Sequence, residues 1–175
     1  MIADKSKYTI EPLGDHNRAV FSCGNTALDR YIREQASQDL KRNLASVFVL
    51  AAKDDPKIIL AYYTLSSREL RLEQLPPAIA KKAGKYGHVG VTLLGRMAVA
   101  EQYEGAGLGK LCLMSALDKS LLAAKDVASW AVFVEAVDAT AASFYRKFGF
   151  IELPEDGLKL FLPMATIAKA FALSG

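Results

Sequence analysis

Apolar and polar positions along the chain follow two rhythms, a period near two for strands and one near 3.6 for helices. Lys7 to Leu13 fits a first strand. Phe21 to Asn25 reads as a turn, with Asn25 or Thr26 placed to cap a helix starting near Ala27. In that helix Leu28, Ile32 and Ala36 share one face. Two strands follow, Ser46–Ala52 and Ile58–Ser66, joined by the charged turn around Pro56, with Ser67–Leu75 a short connection. Pro76 and Pro77 start a short helix, because proline is tolerated in a first turn. A strand-like run then carries Val91, Leu93, Leu94, Met97 and Val99, and Gln102, Tyr103 and Glu104 break it. Leu113, Leu117, Leu121 and Ala124 mark the next helix. Trp130–Val137 reads as a buried strand ended by Asp138. The helix after it closes at Gly149. Leu158–Met164 is a last strand, and a terminal helix follows it. The alternation of strands and helices predicts an α/β architecture.

Composition narrows the class. The chain has 175 residues, 51% hydrophobic and 23% charged, which fits one globular domain over 1–175. A net charge of +3 permits an anionic partner without demanding one. The two cysteines, Cys23 and Cys112, form no C-x-x-C and have no histidine nearby, so a disulfide scaffold and a metal site are not expected. Reduced thiols suit a cytoplasmic protein. The first residues lack the apolar core of a signal peptide, and no apolar run approaches the ~18 residues of a membrane span, so no membrane partner is expected.

The most informative stretch joins the central strand to its helix. Gly105, Gly107 and Gly109 lie where a turn would bare backbone N–H groups at a helix N-terminus. Such donors carry roughly half an elementary charge and suit a phosphate. Two familiar phosphate loops fail here. Glu104 stands where a P-loop needs its first glycine and Leu111 where it needs Ser or Thr, while Lys110 stands where the dinucleotide fingerprint needs its last glycine. What remains is Q-x-x-G-x-G, spelled by Gln102, Gly105 and Gly107.

That spacing resembles the pyrophosphate-binding motif of the GCN5-related N-acetyltransferases (GNAT). The segment Asp138, Ala141, Phe144, Tyr145, Gly149 and Phe150 resembles the second half of their pattern, N-x-x-A-x-x-F-Y-x-x-x-G-F, with Asp138 in place of the usual Asn. Phe21 to Ile32 and Leu94 to Val99 are similar to the acetyltransferase toxins of type II toxin–antitoxin pairs. The run Tyr86–Gly90 departs from the proline-containing approach that many of those relatives have. The resemblance implies the GNAT fold, a central mixed, mostly antiparallel sheet flanked by helices. It implies acetyl-CoA as co-substrate and transfer of acetyl to the α-amino group of an aminoacyl-tRNA, which blocks translation. It also implies a homodimer restrained by a ribbon-helix-helix antitoxin. The alternative is an acetyltransferase acting on a small-molecule amine or a protein N-terminus.

By the same resemblance, Tyr145 is the candidate acid for the leaving thiolate, since a phenol of pKa ~10 keeps its proton at neutral pH. The backbone of Met97, Ala98 and Val99 would hold the pantetheine arm. Glu104, Gly105, Ala106, Gly107, Leu108, Gly109 and Lys110 would hold the pyrophosphate. Asp138 and Phe144 complete the coenzyme contacts. Glu135 is the one candidate for a base acting through water, and neither His16 nor His88 has a catalytic setting. The cations Arg30, Arg33, Lys41 and Arg42 are interleaved with Asp29, Glu34 and Asp39, which reads first as a solvated face and second as a strip for an RNA backbone. Arg96 can fix its strand or reach tRNA. Lys81, Lys82 and Lys85 form a second basic cluster leading into the central strand, which reads as a solvated face.

Overall fold

A computed structural model describes residues 3–174. The ends of the single domain expected over 1–175 lie outside the described residues. The strands are β1 (Tyr8–Pro12), β2 (Ser46–Ala52), β3 (Ala61–Arg71), β4 (His88–Val99), β5 (Ala131–Glu135), β6 (Ile151–Leu153) and β7 (Asp156–Pro163). The helices are α1 (Thr26–Arg30), α2 (Ala36–Lys41), α3 (Pro77–Ala83), α4 (Leu108–Ala123), α5 (Ala139–Lys147) and α6 (Met164–Ser174). A π-helical turn, Tyr31–Gln35, joins α1 to α2. The strands form one mixed sheet in the order β1-β2-β3-β4-β5-β7-β6. β1 with β2, β2 with β3, β5 with β7 and β6 with β7 pair antiparallel, and β4 with β5 pairs parallel. This is the mixed, mostly antiparallel sheet with flanking helices that the sequence predicts.

The chain divides into two compact units, Met1–Ser66 with Gly95–Ala116, and Ser67–Leu94 with Leu117–Gly175. In the first, Phe21, Tyr31, Ile32, Val49 and Tyr62 form the core with Ala36 and Ala98. Asn25 caps α1 by accepting from the Leu28 N–H at 3.1 Å, as its position before the apolar run predicts. The helix is not regular to its end. The Ala36 N–H donates to the Tyr31 carbonyl, five residues back, and this wider turn buries Tyr31 beside Ile32. Tyr31, three residues after Leu28, joins the expected face of Leu28, Ile32 and Ala36. In the second unit, Leu70, Val91, Phe133, Leu153 and Phe161 form the core, with Ile79, Val89 and Trp130 packed against it.

Several boundaries differ from expectation: β5 covers Ala131–Glu135 rather than Trp130–Val137, and β7 Asp156–Pro163 rather than Leu158–Met164. β3 starts at Ala61 rather than Ile58 and runs on to Arg71 through the segment read as a connection. Ser66 to Glu69 are polar and mostly exposed, so they give no apolar alternation although their backbone stays extended. β4 begins at His88, three residues early, for the same reason. β6 has only three residues, too few to show a period.

Candidate active site

The glycine-rich turn belongs to the first unit. β4 delivers Met97, Ala98 and Val99, with Ala98 buried and its neighbours half-buried. The chain is then pinned: the Ala100 N–H donates to the Leu60 carbonyl at 2.8 Å and the Glu101 N–H to the Ser22 carbonyl at 2.9 Å. A single 3-10 turn, Glu101–Tyr103, leads to Gly105 at φ 79° and Gly107 at φ 83°. Side-chain-bearing residues avoid that region, so both positions call for glycine. α4 starts immediately afterwards, anchored by the buried Leu108. Its ladder begins where the Leu111 N–H donates to the Gly107 carbonyl at 3.3 Å. The N–H groups just before Leu111 belong to a first turn, which has no intrahelical acceptors. They are the donors an anion would take, and the exposed Lys110 adds a cation beside them. Glu104 is exposed and negative, and its N–H already donates to the Glu101 carbonyl at 3.2 Å, so the structure does not offer it to a phosphate as expected.

Arg96, on the same stretch of β4, turns its guanidinium onto the Tyr31 ring, 3.7 Å from the centroid. The Tyr31 hydroxyl donates to Asp39 at 2.9 Å. Burial first, then the Asp39 carboxylate, pushes the Tyr31 phenol up to about 12. The Arg96 backbone N–H donates to the Thr64 hydroxyl at 3.0 Å. Its side chain is thus engaged in fixing the strand. Arg33 donates to the Phe21 carbonyl, while Arg30, Lys41 and Arg42 are exposed. No sequence signal links Arg96 to Tyr31, because the pair is brought together only by the fold.

The second unit carries the aromatic motif. Asp138 is the N-cap of α5, with Oδ1 accepting from the Ala141 N–H at 2.8 Å. α5 ends at Lys147, and Gly149 takes φ 90° just past it, as the sequence predicts. Tyr145 is buried, its ring 5.4 Å from Phe144 in edge geometry and 5.4 Å from Phe150. Phe144 also meets Phe148 edge-on at 5.1 Å. Two rings, Phe144 and Phe150, therefore flank the phenol, with Phe148 behind Phe144. Glu135, at the end of β5, is held by Arg68 at 2.6 Å, and the same guanidinium lies 5.9 Å from the Phe133 centroid. That pairing occupies one of the two Glu135 carboxylate oxygens. Arg68 was hidden from sequence reading because it lies in the polar half of β3. No group of His, Cys, Asp and Glu among the described residues is arranged to hold a metal ion. Nor is any helix among them long and apolar enough to cross a membrane.

Residues 46–152 match the family model described as an acetyltransferase (GNAT) domain. The chain belongs to the GNAT acetyltransferase family. This GNAT chain is 25% identical to the probable toxin TacT of Sinorhizobium fredii (strain NBRC 101917 / NGR234) over 171 residues, 93% of this chain and 94% of that one. It is 31% identical to the tRNA-acetylating toxin of Mycobacterium tuberculosis (strain ATCC 25618 / H37Rv) over 144 residues, 82% of this chain and 84% of that one. Among solved structures, AtaT complexed with acetyl-methionyl-tRNAfMet superposes with a TM-score of 0.87 at 27% identity, covering 94% of this chain and 99% of AtaT. AtaT has also been solved, as a Tyr-to-Phe mutant, bound to the C-terminus of the antitoxin AtaR and acetyl-CoA, with a TM-score of 0.81 at 25% identity, covering 94% and 98%. The GNAT fold that the resemblance implies is thereby established, and with it an N-acetyltransferase.

Proposed function

We propose that this chain is a single-domain, acetyl-CoA-dependent N-acetyltransferase toxin that acetylates the α-amino group of an aminoacyl-tRNA and so blocks translation. The observation that carries the proposal is the turn from Gly105 to Lys110. Two glycines at positive φ lead directly into the unpaired N–H groups of α4. The relatives named above, one called a tRNA-acetylating toxin and another solved with acetyl-methionyl-tRNAfMet, support the choice of acceptor. In this reading the N–H groups of Gly105, Gly107, Leu108, Gly109 and Lys110 hold the diphosphate, while those of Glu104 and Ala106, also expected there, already donate to the Glu101 and Tyr103 carbonyls at 3.2 and 3.4 Å. The backbone of Met97, Ala98 and Val99 holds the pantetheine arm as an added strand would. Phe144 and Asp138 line the arm, although one Asp138 oxygen is already taken by the helix cap.

The chemistry asks little of the protein beyond positioning. A neutral amine attacks the thioester carbonyl, and the carbon–sulfur bond then breaks. The departing thiolate takes the Tyr145 hydroxyl proton, and the amine loses one of its own protons to solvent. The α-amine of an aminoacyl ester is weakly basic, so a fraction is already neutral near pH 7 and a dedicated base is unnecessary. This fits a Glu135 already paired with Arg68. Arg30, Lys41 and Arg42 supply cations for the tRNA backbone, with Arg33 and Arg96 secondary because their side chains are engaged. The chain acts in the cytoplasm as a homodimer, restrained by an antitoxin with a ribbon-helix-helix domain.

The test is mass spectrometry of charged tRNA after incubation with the protein and acetyl-CoA. Acetyl on the aminoacyl moiety is expected. Acetylation confined to small amines or protein N-termini would replace this reading with the alternative one.

A further inference from the structure

The second basic cluster has a geometry that the reaction chemistry does not use. α3 is anchored by Ile79, Ala80 and Ala83, which pack against the core of its unit. Its last turn carries the exposed Lys81 and Lys82. The chain then passes Gly84 at φ 140°, Lys85, Tyr86 and Gly87 at φ 81° before entering β4. A Cβ built on Gly84 or Gly87 would meet nothing within 4 Å, so the loop tip stands clear of the protein. Its base is tied down where the Leu72 N–H donates to the Gly87 carbonyl at 2.9 Å. Tyr86 is 87% exposed, and no other aromatic ring is among the exposed large apolar side chains of the described residues.

Charge singles out the partner. From Gln74 to Ala100 the sequence holds no Asp or Glu. The carboxylates nearest along the chain are already engaged, Glu73 with Arg71 at 3.2 Å and Glu69 with His88 at 3.7 Å. Lys81, Lys82 and Lys85 make no ion pair among the described residues. An exposed ring between uncompensated cations suits a strand that is both anionic and aromatic. Unpaired nucleotides are such a strand, since their phosphates take the lysines and their bases offer a π-face.

We infer that the Lys81–Gly87 loop binds unpaired RNA, with one base stacked on Tyr86 and phosphates on Lys81, Lys82 and Lys85. The inference rests on the tRNA reading above and makes the unpaired 3′ end of the acceptor the segment grasped. Stacking needs the ring and not the hydroxyl. Tyr86 supports no core, so its substitution leaves the fold intact.

The experiment measures binding of deacylated tRNA, with and without its unpaired 3′ nucleotides, by the wild-type chain and by Tyr86→Ala and Tyr86→Phe. Tyr86→Ala is expected to weaken binding of intact tRNA about ten-fold, with Tyr86→Phe close to wild type. Removal of the 3′ nucleotides should weaken wild-type binding to the level of the alanine variant. The combined Lys81→Gln, Lys82→Gln and Lys85→Gln variant should flatten the slope of log affinity against log salt by about 2. Wild-type affinity in Tyr86→Ala overturns the inference while leaving the tRNA reading standing. So does a Tyr86→Phe variant as weak as Tyr86→Ala. A wild-type chain that binds no tRNA overturns both.

Discussion

The guanidinium of Arg96 lies 3.7 Å from the centroid of the Tyr31 ring, while the Tyr31 hydroxyl donates to Asp39. The ring thus bridges a cation on its face and a carboxylate at its tip. Tyr31 opens the π-helical turn and is buried there beside Ile32. Arg96→Ala should lower stability by about 1–2 kcal/mol, since a cation–π contact at a half-buried site has that order of strength. Thermal melting measures it. A variant that melts with wild type would leave Arg96 available for tRNA rather than for the strand.

Alkaline pH should weaken the fold through four groups, one of them the Tyr62 phenol, which burial pushes well up. The Tyr31 phenol is pushed up to about 12, first by burial and then by Asp39. The Cys23 thiol is pushed up to about 11 and the Cys112 thiol to about 12, both chiefly by burial. Each folded-state pKa lies above the unfolded one, so the folded chain holds protons the unfolded chain has lost. Their stabilisation is full below the unfolded pKa values, near 9 for the thiols and 10 for the phenols. It fades as pH rises through the folded values. The melting temperature should be flat from neutrality to about pH 8.5 and fall steadily above that. A melting temperature that rises over that interval would contradict the burial of these groups.

Asp138 caps α5 through a single oxygen. Asp138→Asn keeps an acceptor and should leave stability nearly unchanged, whereas Asp138→Ala should cost about 1 kcal/mol. The same pair of variants separates the cap from the coenzyme. If the carboxylate serves only the helix, Asp138→Asn keeps the wild-type KM for acetyl-CoA. A KM lower in the amide variant would assign the second oxygen position to the pantetheine arm.

Gly105 and Gly107 sit at φ 79° and 83°. Alanine at either position is expected to cost about 1–2 kcal/mol of backbone strain. It should also tilt the N–H groups that follow, raising KM for acetyl-CoA several-fold with the melt of the rest of the chain preserved. Wild-type KM in both alanine variants would remove the turn from coenzyme binding.

Local chemistry made much of this chain readable before folding. The Asn25 cap, the prolines that open α3, the glycine turn before α4 and the terminal Gly149 each obey a constraint set by a few neighbouring residues. Long apolar runs likewise located β2, β5 and α4. The rest depended on distance or on silence. The extension of β3 to Arg71 is polar, so no period marks it, and the pairing of Arg68 with Glu135 spans 67 positions. The π-helical turn is invisible because one wider hydrogen bond leaves the composition unchanged. Among the expected tRNA cations, the sequence could not separate Arg33 and Arg96, whose side chains are engaged, from the exposed Arg30, Lys41 and Arg42.

The central claim is that the Tyr145 phenol protonates the leaving thiolate. Single-turnover acetylation of charged tRNA by Tyr145→Phe tests it most directly, beside a measurement of acetyl-CoA binding by the same variant. Phenylalanine keeps the ring contacts with Phe144 and Phe150 and removes only the hydroxyl. The account predicts unchanged acetyl-CoA affinity with transfer slowed by at least about 100-fold. Transfer at the wild-type rate by a variant that binds the coenzyme normally would contradict it.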